Sequence, residues 1–269
     1  MLRISDSEFG QFQRFIFDAA GITLSNTKKA LVSGRLAKRL HACQVESYGD
    51  YFRLLMSGDS PLEFQTAIDL LTTNETYFFR EPKHFQFLKK ELTGGSLRAV
   101  PSLRVWSAAA STGEEAYSIA MLLEDAQPGQ PWEVIGTDIS VRVLERARAG
   151  HYSMERINHF PPGYLQRFCL KGRDAQEGTL LVQRALRNKV RFQAANLNEP
   201  LPHLGGAFDV IFLRNVLIYF SLETKRKVVA RVLNALKPGG YLLIGHSESL
   251  VEVTDAVQLL APAIYQKSS

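Results

Sequence analysis

The feature that most constrains this chain is an alternation of short apolar strands and helices that starts near residue 103 and runs to residue 245. Leu103-Arg104-Val105-Trp106 reads as a strand and residues 114–124 as a helix. Trp132-Glu133-Val134-Ile135-Gly136-Thr137 reads as the next strand, residues 141–149 as a helix, and Val190-Arg191-Phe192-Gln193-Ala194 as a third strand. Phe208-Asp209-Val210-Ile211-Phe212-Leu213 is apolar enough for a strand covered on both faces. A helix over 222–236, the turn Lys237-Pro238-Gly239-Gly240 and a strand over 241–245 close the series. Such alternation predicts a doubly wound α/β sheet. Residues 150–188 interrupt it with turn formers (Pro161-Pro162-Gly163, Gly172, Gly178) and the run Leu180-Leu181-Val182, which predicts a small inserted hairpin.

The first 80 residues have helical periodicity instead. Phe9, Phe12, Ile16, Ala19 and Ala20 form a helical stripe that Gly21 ends. Ser25, Asn26 and Thr27 offer caps for a second helix through about Gln44, with Ala30, Leu31, Leu36 and Leu40 on one side. Two shorter helices follow over 48–56 and 61–72, and residues 81–102 read as a helix and connector. No apolar run approaches the ~20 residues needed to cross a bilayer, and Met1-Leu2-Arg3-Ile4-Ser5-Asp6 lacks the layout of a signal peptide. Cys43 and Cys169 lie far apart without metal-ligand spacing, so the expectation is two reduced thiols, no metal and a cytoplasmic location. A net charge of +5 and a pI of about 9.2 permit an acidic partner without choosing one.

Several groups of residues carry candidate chemistry. The loop after Trp106, residues 107–113, is built almost entirely of small residues, which lets a ligand approach the backbone at the first strand-to-helix turn. It lacks the G-x-G-x-x-G that seats a pyrophosphate, and it is followed by Glu114 and Glu115. Acids there repel a pyrophosphate and suit a cationic ligand such as a sulfonium cofactor, although acids in a first turn also simply complement the helix dipole. Asp138, after the second strand, can accept hydrogen bonds from ribose hydroxyls or cap the following helix together with Ser140. Arg214-Asn215-Val216-Leu217-Ile218-Tyr219-Phe220 ends the fourth strand and faces the expected crevice. It lacks the Asn/Asp-Pro-Pro-Tyr/Phe motif of enzymes that methylate base amines, which weighs against a nucleic-acid substrate. Asn74-Glu75-Thr76-Tyr77-Phe78-Phe79-Arg80-Glu81 falls where the helical region meets the sheet, and Arg80 there can hold a carboxylate in a two-pronged fork. Finally, no acid occurs between Asp18 and Glu46, whereas Lys28, Lys29, Arg35, Lys38 and Arg39 do; Lys28, Arg35 and Lys38 or Arg39 share a helical face, a solvated surface or a dock for an acidic partner.

Taken together these segments resemble the chemotaxis receptor methyltransferases, the CheR family. The resemblance is carried by Leu71-Thr72-Thr73-Asn74-Glu75-Thr76-Tyr77-Phe78-Phe79-Arg80-Glu81, by the stretch from Val105-Trp106-Ser107 to Ala116-Tyr117-Ser118-Ile119-Ala120, by Thr137-Asp138-Ile139, by the 214–220 motif, and by Leu236-Lys237-Pro238-Gly239-Gly240 with Gly245-His246-Ser247-Glu248. These occur in family order over nearly the whole chain. The resemblance implies a helical receptor-docking domain over 1–80, a connector over 81–102, and a class I S-adenosylmethionine-dependent methyltransferase domain over 103–269 with a small β-subdomain inserted at about 150–189. It implies that Asn74, Thr76, Arg80, Glu115, Asp138, Asn196, Leu197, Asn215 and Val216 contact the cofactor, and that Arg80 and Tyr219 stand nearest the chemistry. It further implies that Lys28, Arg35, Lys38 and Arg39 dock the cytoplasmic helical bundle of methyl-accepting chemotaxis receptors, whose glutamates become methyl esters as S-adenosylhomocysteine is released. Lys171-Gly172-Arg173-Asp174-Ala175-Gln176-Glu177-Gly178 resembles the longer loop of members that grip a peptide at the receptor's C-terminus, with Asp174-Ala175 departing from their residues. The expected partner is therefore a receptor, without nucleic acid and without membrane insertion. The alternatives of another class are a nucleic-acid methyltransferase and a cofactor-sensing module that binds receptors without turnover.

Overall fold

The computed structural model describes residues 3–268. Four helices come first: α1 (Asp6–Ala20), α2 (Lys29–Ala42), α3 (Tyr48–Met56) and α4 (Pro61–Leu71). Ser5 and Glu8 close a reciprocal capping box at the start of α1, and Gly21 ends it in the left-handed conformation at φ 72°. Helix α2 departs from expectation at its start. Ser25 Oγ pairs with Thr27 Oγ1 at 2.7 Å rather than capping, and a 3-10 turn over Asn26–Lys28 leads into the helix. The four helices share one apolar core, in which Phe12 packs against the rings of Tyr48, Tyr51 and Phe52.

The rest of the chain builds the sheet. In order come α5 (Pro82–Gly94), β1 (Leu103–Ser107), α6 (Glu114–Ala126), β2 (Trp132–Asp138), α7 (Val141–Ala149), β3 (His151–Ser153), α8 (Tyr164–Phe168), β4 (Cys169–Lys171), β5 (Thr179–Val182), α9 (Arg184–Arg187), β6 (Val190–Ala194), β7 (Phe208–Leu213), α10 (Leu222–Asn234), β8 (Leu236–Ile244), β9 (Val257–Ala261) and β10 (Ile264–Lys267). The large sheet has the order β6-β2-β1-β7-β8-β10-β9. Its first five strands are parallel, and β10 runs antiparallel between β8 and β9. All six residues of β7 are buried, as a strand covered on both faces requires. The direction of winding reverses between β1 and β7, so the ligand crevice opens at their C-terminal ends.

Three features differ from the sequence reading. The turn expected at Lys237-Pro238-Gly239-Gly240 lies within the span of β8. Phe208 pairs with Leu236 and Val210 with Tyr241, so these four residues fold outward opposite Asp209, whose carboxylate Lys237 Nζ meets at 2.7 Å. The inserted segment is a three-stranded antiparallel sheet, β3-β5-β4, rather than a hairpin, because β5 pairs on both sides. The terminal hairpin β9–β10, turning through Ala263 at φ 63°, carries no turn signal that the strand rules recognise.

The helical region closes over the crevice. Ile22 bridges to Phe220, Thr23 N–H donates to the Tyr219 carbonyl at 2.8 Å, and Asn196 Nδ2 donates to the Ala19 carbonyl at 2.7 Å. On the other side Gln65 Nε2 reaches the Ile139 carbonyl at 3.0 Å. Among the described residues no helix is long and apolar enough to cross a membrane.

Candidate active site

The loop after β1 is shaped by its backbone. Ala108 N–H bonds to the Phe212 carbonyl, Ala110 N–H to the Thr137 carbonyl, and Ser111 N–H to Asp138 Oδ2 at 2.9 Å, which ties the ends of β1, β2 and β7 together. Trp106 Nε1 donates to Thr137 Oγ1 at 2.9 Å and fixes the same corner from the core side. Gly113 stands at φ 94°, where a Cβ would lie 2.8 Å from Ala147 Cβ and 2.9 Å from the Tyr152 hydroxyl. The loop therefore folds flat against α7 and the inserted sheet and leaves its other side open.

That open side is one wall of a cavity of about 390 Å³. Its lining includes Asn74, Thr76, Arg80, Ala108, Ala109, Ser111, Glu115, Asp138, Asn196, Leu197, Arg214, Asn215, Val216 and Tyr219. All the residues expected at the cofactor and at the chemistry thus come together from segments spread along the chain. Lys28 also reaches the rim, whereas Arg35, Lys38 and Arg39 do not.

The two acids after Gly113 diverge. Glu114 points away from the cavity and is fully buried, with Thr112 Oγ1 at 2.6 Å and the Arg156 guanidinium on its other oxygen. Glu115 faces the cavity, where Ser107 Oγ donates to it at 2.7 Å and Arg214 Nη1 at 2.9 Å. Burial pushes both carboxyls above their ordinary value, opposed for Glu114 by Thr112 and then Arg156 and for Glu115 by Arg214. Of the two acids only Glu115 is left to meet a ligand, because Glu114 is turned away onto Arg156; Glu115 shares Arg214 with Glu81. What Glu115 offers is a fixed acceptor. Asp138 also lines the cavity and is buried, which raises it to about 6 despite the N–H groups of Ser140 and Ser111. Each of its oxygens takes one backbone N–H, at 3.0 Å from Ser140 and 2.9 Å from Ser111, so lone pairs remain for a ligand.

Arg214 is a cavity residue that the sequence reading left without a role. Its side chain is 1% exposed, and it bonds Glu115, the Glu81 carboxylate at 2.9 Å and the Arg80 carbonyl. The motif around it was visible, but nothing in the sequence reveals that the side chain turns inward to join two acids. Around it the backbone is strained. Phe79, Glu81, Ser111 and Asn215 all have φ between 49° and 60°, a region that costs side-chain-bearing residues about 1 kcal/mol or more. Phe79 is held there by the Ser118 hydroxyl on its N–H and by ring contacts with Phe85, Phe160 and Tyr164. Glu81 is held by Arg214, Asn215 and the His246 N–H. These two pins flank Arg80 and turn it to the cavity, where it donates to the Glu75 carbonyl and lies 5.7 Å from the Tyr77 ring centre. Among the described residues Arg80 has no carboxylate partner, unlike Arg214. Burial pushes the Tyr219 hydroxyl above its ordinary value, so it stays protonated.

Other expected residues have their side chains already engaged. Asn196 donates to the Ala19 carbonyl and accepts from Asn198 N–H. Arg39 pairs with Glu63, which the Tyr51 hydroxyl also meets at 2.6 Å, and Arg35 donates to the Thr72 carbonyl at the end of α4. Lys38 is exposed.

The cavity fits S-adenosylmethionine. Its volume is in the range of pockets that take ligands of this size, Asp138 retains acceptors for a diol, and Glu115 supplies a second acceptor one loop away. The comparisons with known proteins point the same way. Residues 74–265 match the family "CheR methyltransferase, SAM binding domain" and residues 7–72 match "CheR methyltransferase, all-alpha domain". The chemotaxis protein methyltransferase of Salmonella typhimurium is 40% identical over 99% of this chain and 92% of its own length. That of Escherichia coli is 40% identical over 99% and 93%. Chemotaxis protein methyltransferase 2 of Pseudomonas aeruginosa is 38% identical over 96% and 92%. The chain belongs to the CheR methyltransferase family, with an all-helical domain ahead of a class I methyltransferase sheet and S-adenosylmethionine as its cofactor.

Proposed function

We propose that this chain methylates glutamate side chains on the cytoplasmic helical bundle of methyl-accepting chemotaxis receptors, giving glutamyl methyl esters. The observation that carries the reading is one cavity lined together by Asp138, Glu115, Arg80 and Tyr219, in a chain whose relatives are named chemotaxis protein methyltransferases. S-adenosylmethionine supplies, when bound, a methyl group on sulfonium sulfur that a carboxylate oxygen can take directly, leaving S-adenosylhomocysteine.

A glutamate carboxylate has an ordinary pKa of about 4.3 and is ionised at neutral pH, so no general base is required. The work of the protein is alignment and exclusion of water. Arg80, without a carboxylate partner among the described residues, orients the incoming glutamate by charge-assisted hydrogen bonds. Tyr219, kept protonated by burial, lines the same cavity and supplies a hydroxyl donor. Asp138 accepts from the ribose, Glu115 from the methionine end, and Asn74, Thr76, Leu197, Asn215 and Val216 complete the lining. The domain division at residues 80 and 102 belongs to the same proposal.

Lys28 and Lys38 are the exposed cations of the basic face, and they suit an acidic helical partner. Arg35 and Arg39, engaged with helix α4 and with Glu63, contribute by holding that face in shape. Strand β4 edges the inserted sheet and exposes Leu170, a place where a receptor C-terminal peptide can add as a further strand. The test is transfer of labelled methyl from S-adenosylmethionine to a receptor cytoplasmic fragment. Base-labile label in the protein is expected. Label in nucleic acid, or base-stable label, would refute the reading.

A further inference from the structure

Beside the cavity, and outside the lining already described, Glu81, His84 and His246 bring three donor atoms within 4.8 Å of one another. His84 Nδ1 lies 3.4 Å from Glu81 Oε2, and His246 Nε2 lies 4.0 Å from the same oxygen. The two imidazoles stand edge to face, with ring centres 4.8 Å apart. His84 is completely buried, and among the described residues neither of its ring nitrogens has a hydrogen-bond partner. An imidazole carries a donor and an acceptor in its neutral form, and leaving both unmet inside a protein is destabilising. Such a side chain is out of place in a packed core unless something completes it. The cluster opens to solvent through His246, whose side chain is 41% exposed.

We propose that Glu81, His84 and His246 form a binding site for a divalent transition-metal ion of the Zn²⁺ class, and that occupying it weakens the binding of S-adenosylmethionine. Two imidazoles and one carboxylate are a common zinc donor set that leaves a fourth position to water. Donor separations in a tetrahedral Zn²⁺ shell are a little over 3 Å, so the Glu81–His84 distance is already suitable and the exposed His246 ring has only a short distance to close. The coupling follows from the charges. Arg214 Nη2 donates to the same Glu81 Oε2 at 2.9 Å, and a divalent ion on that oxygen repels the guanidinium. Metal occupancy and the Glu81–Arg214 pair therefore compete. The same Nη2 also holds the Arg80 carbonyl, and Nη1 donates to Glu115, so displacing the guanidinium disturbs the part of the cavity that receives the cofactor. By linkage, cofactor binding must weaken metal binding by the same factor.

The experiment uses the full chain, stripped with a chelator. Titration calorimetry with Zn²⁺, and Co²⁺ absorption as a spectroscopic check on tetrahedral coordination, are run on wild type, His246→Ala and His246→Asn. His246 is exposed, so these variants are expected to keep the wild-type melting temperature, which is measured in parallel; the buried His84 is left intact. The expected result is a Zn²⁺ site whose affinity falls at least about tenfold in both variants, and an affinity for S-adenosylhomocysteine that falls on adding Zn²⁺ to wild type but not to His246→Ala. Equal Zn²⁺ binding by wild type and variants, or no binding by wild type, overturns the site. Metal binding without change in S-adenosylhomocysteine affinity overturns the coupling. The coupling half rests on the cofactor assignment above, and the chelated wild type tests that assignment separately: failure to bind S-adenosylhomocysteine there counts against the assignment and leaves the metal titration to stand or fall alone.

Discussion

The cofactor affinity of this protein should depend on pH through Asp138, and the dependence can be worked from its surroundings. The carboxyl is buried and held at about 6, well above the ordinary aspartate value. A ribose that donates to it needs the ionised form. Near pH 7.5 almost all of the free protein carries the carboxylate, while at pH 5 only about a tenth does, so the affinity should fall about tenfold, or about 1.4 kcal/mol. An aspartate at its ordinary value would stay ionised over that range and give no slope. The sign for stability is opposite to that of a salt-bridged acid. The folded pKa lies above the unfolded one, so Asp138 favours the fold most when protonated, and its contribution is lost as pH rises from about 4 to about 6. The assay is calorimetric titration of S-adenosylhomocysteine between pH 5 and 7.5 with wild type and Asp138→Asn, with melting curves alongside. The variant should bind about tenfold to a hundredfold more weakly at pH 7.5 and lose the part of the slope due to Asp138. An identical pH profile in the two proteins would refute the assignment of Asp138 to the ligand.

Arg80→Ala should lower methyl transfer to receptor about tenfold to a hundredfold, the value of a lost charge-assisted contact, with a far smaller change in S-adenosylhomocysteine affinity; equal losses in both would refute its role in orienting the substrate. Changing Lys28 and Lys38 to glutamate should weaken receptor binding in a salt-dependent manner and leave melting unchanged; unaltered binding in a pull-down at low salt would sink the docking face. Arg39→Ala should instead lower the melting temperature by removing the partner of Glu63, a loss of about 1–3 kcal/mol, and an unchanged melting curve would show that the pair is not structural.

Much of this architecture was legible because the central parallel strands bury both faces and so print their apolar runs directly in the sequence, as Phe208 to Leu213 do. The ligand loop was legible for a related reason: small residues must stand where a ligand approaches backbone. The hairpin of β9 and β10 was not, because its outer strand exposes Leu259 and Leu260 and its turn places a positive φ on Ala263 rather than on glycine or asparagine. Residues 237–240 read as a turn because their backbone does turn; only the pairing of Leu236 with Phe208 shows that the strand continues on both sides. Spacing could suggest that Arg35 and Arg39 share a face with Lys38, but it could not show that Arg39 would meet Glu63 on another helix. The same limit hid Arg214 and the Glu81, His84 and His246 cluster. Arg214 meets Glu81 and Glu115 from far along the chain, and His246 joins the neighbours Glu81 and His84 from more than 150 residues away, by packing that no local pattern encodes.

The identity of the methyl acceptor is read out by mass spectrometry of a receptor cytoplasmic fragment. After incubation with this protein and S-adenosylmethionine, peptides from the fragment should gain single methyl groups on glutamate side chains, removable by mild base and diminished with Arg80→Ala. Methyl groups on lysine, arginine or nucleic acid would contradict glutamate as the acceptor. So would an unmodified receptor in the presence of a protein that binds both receptor and S-adenosylhomocysteine.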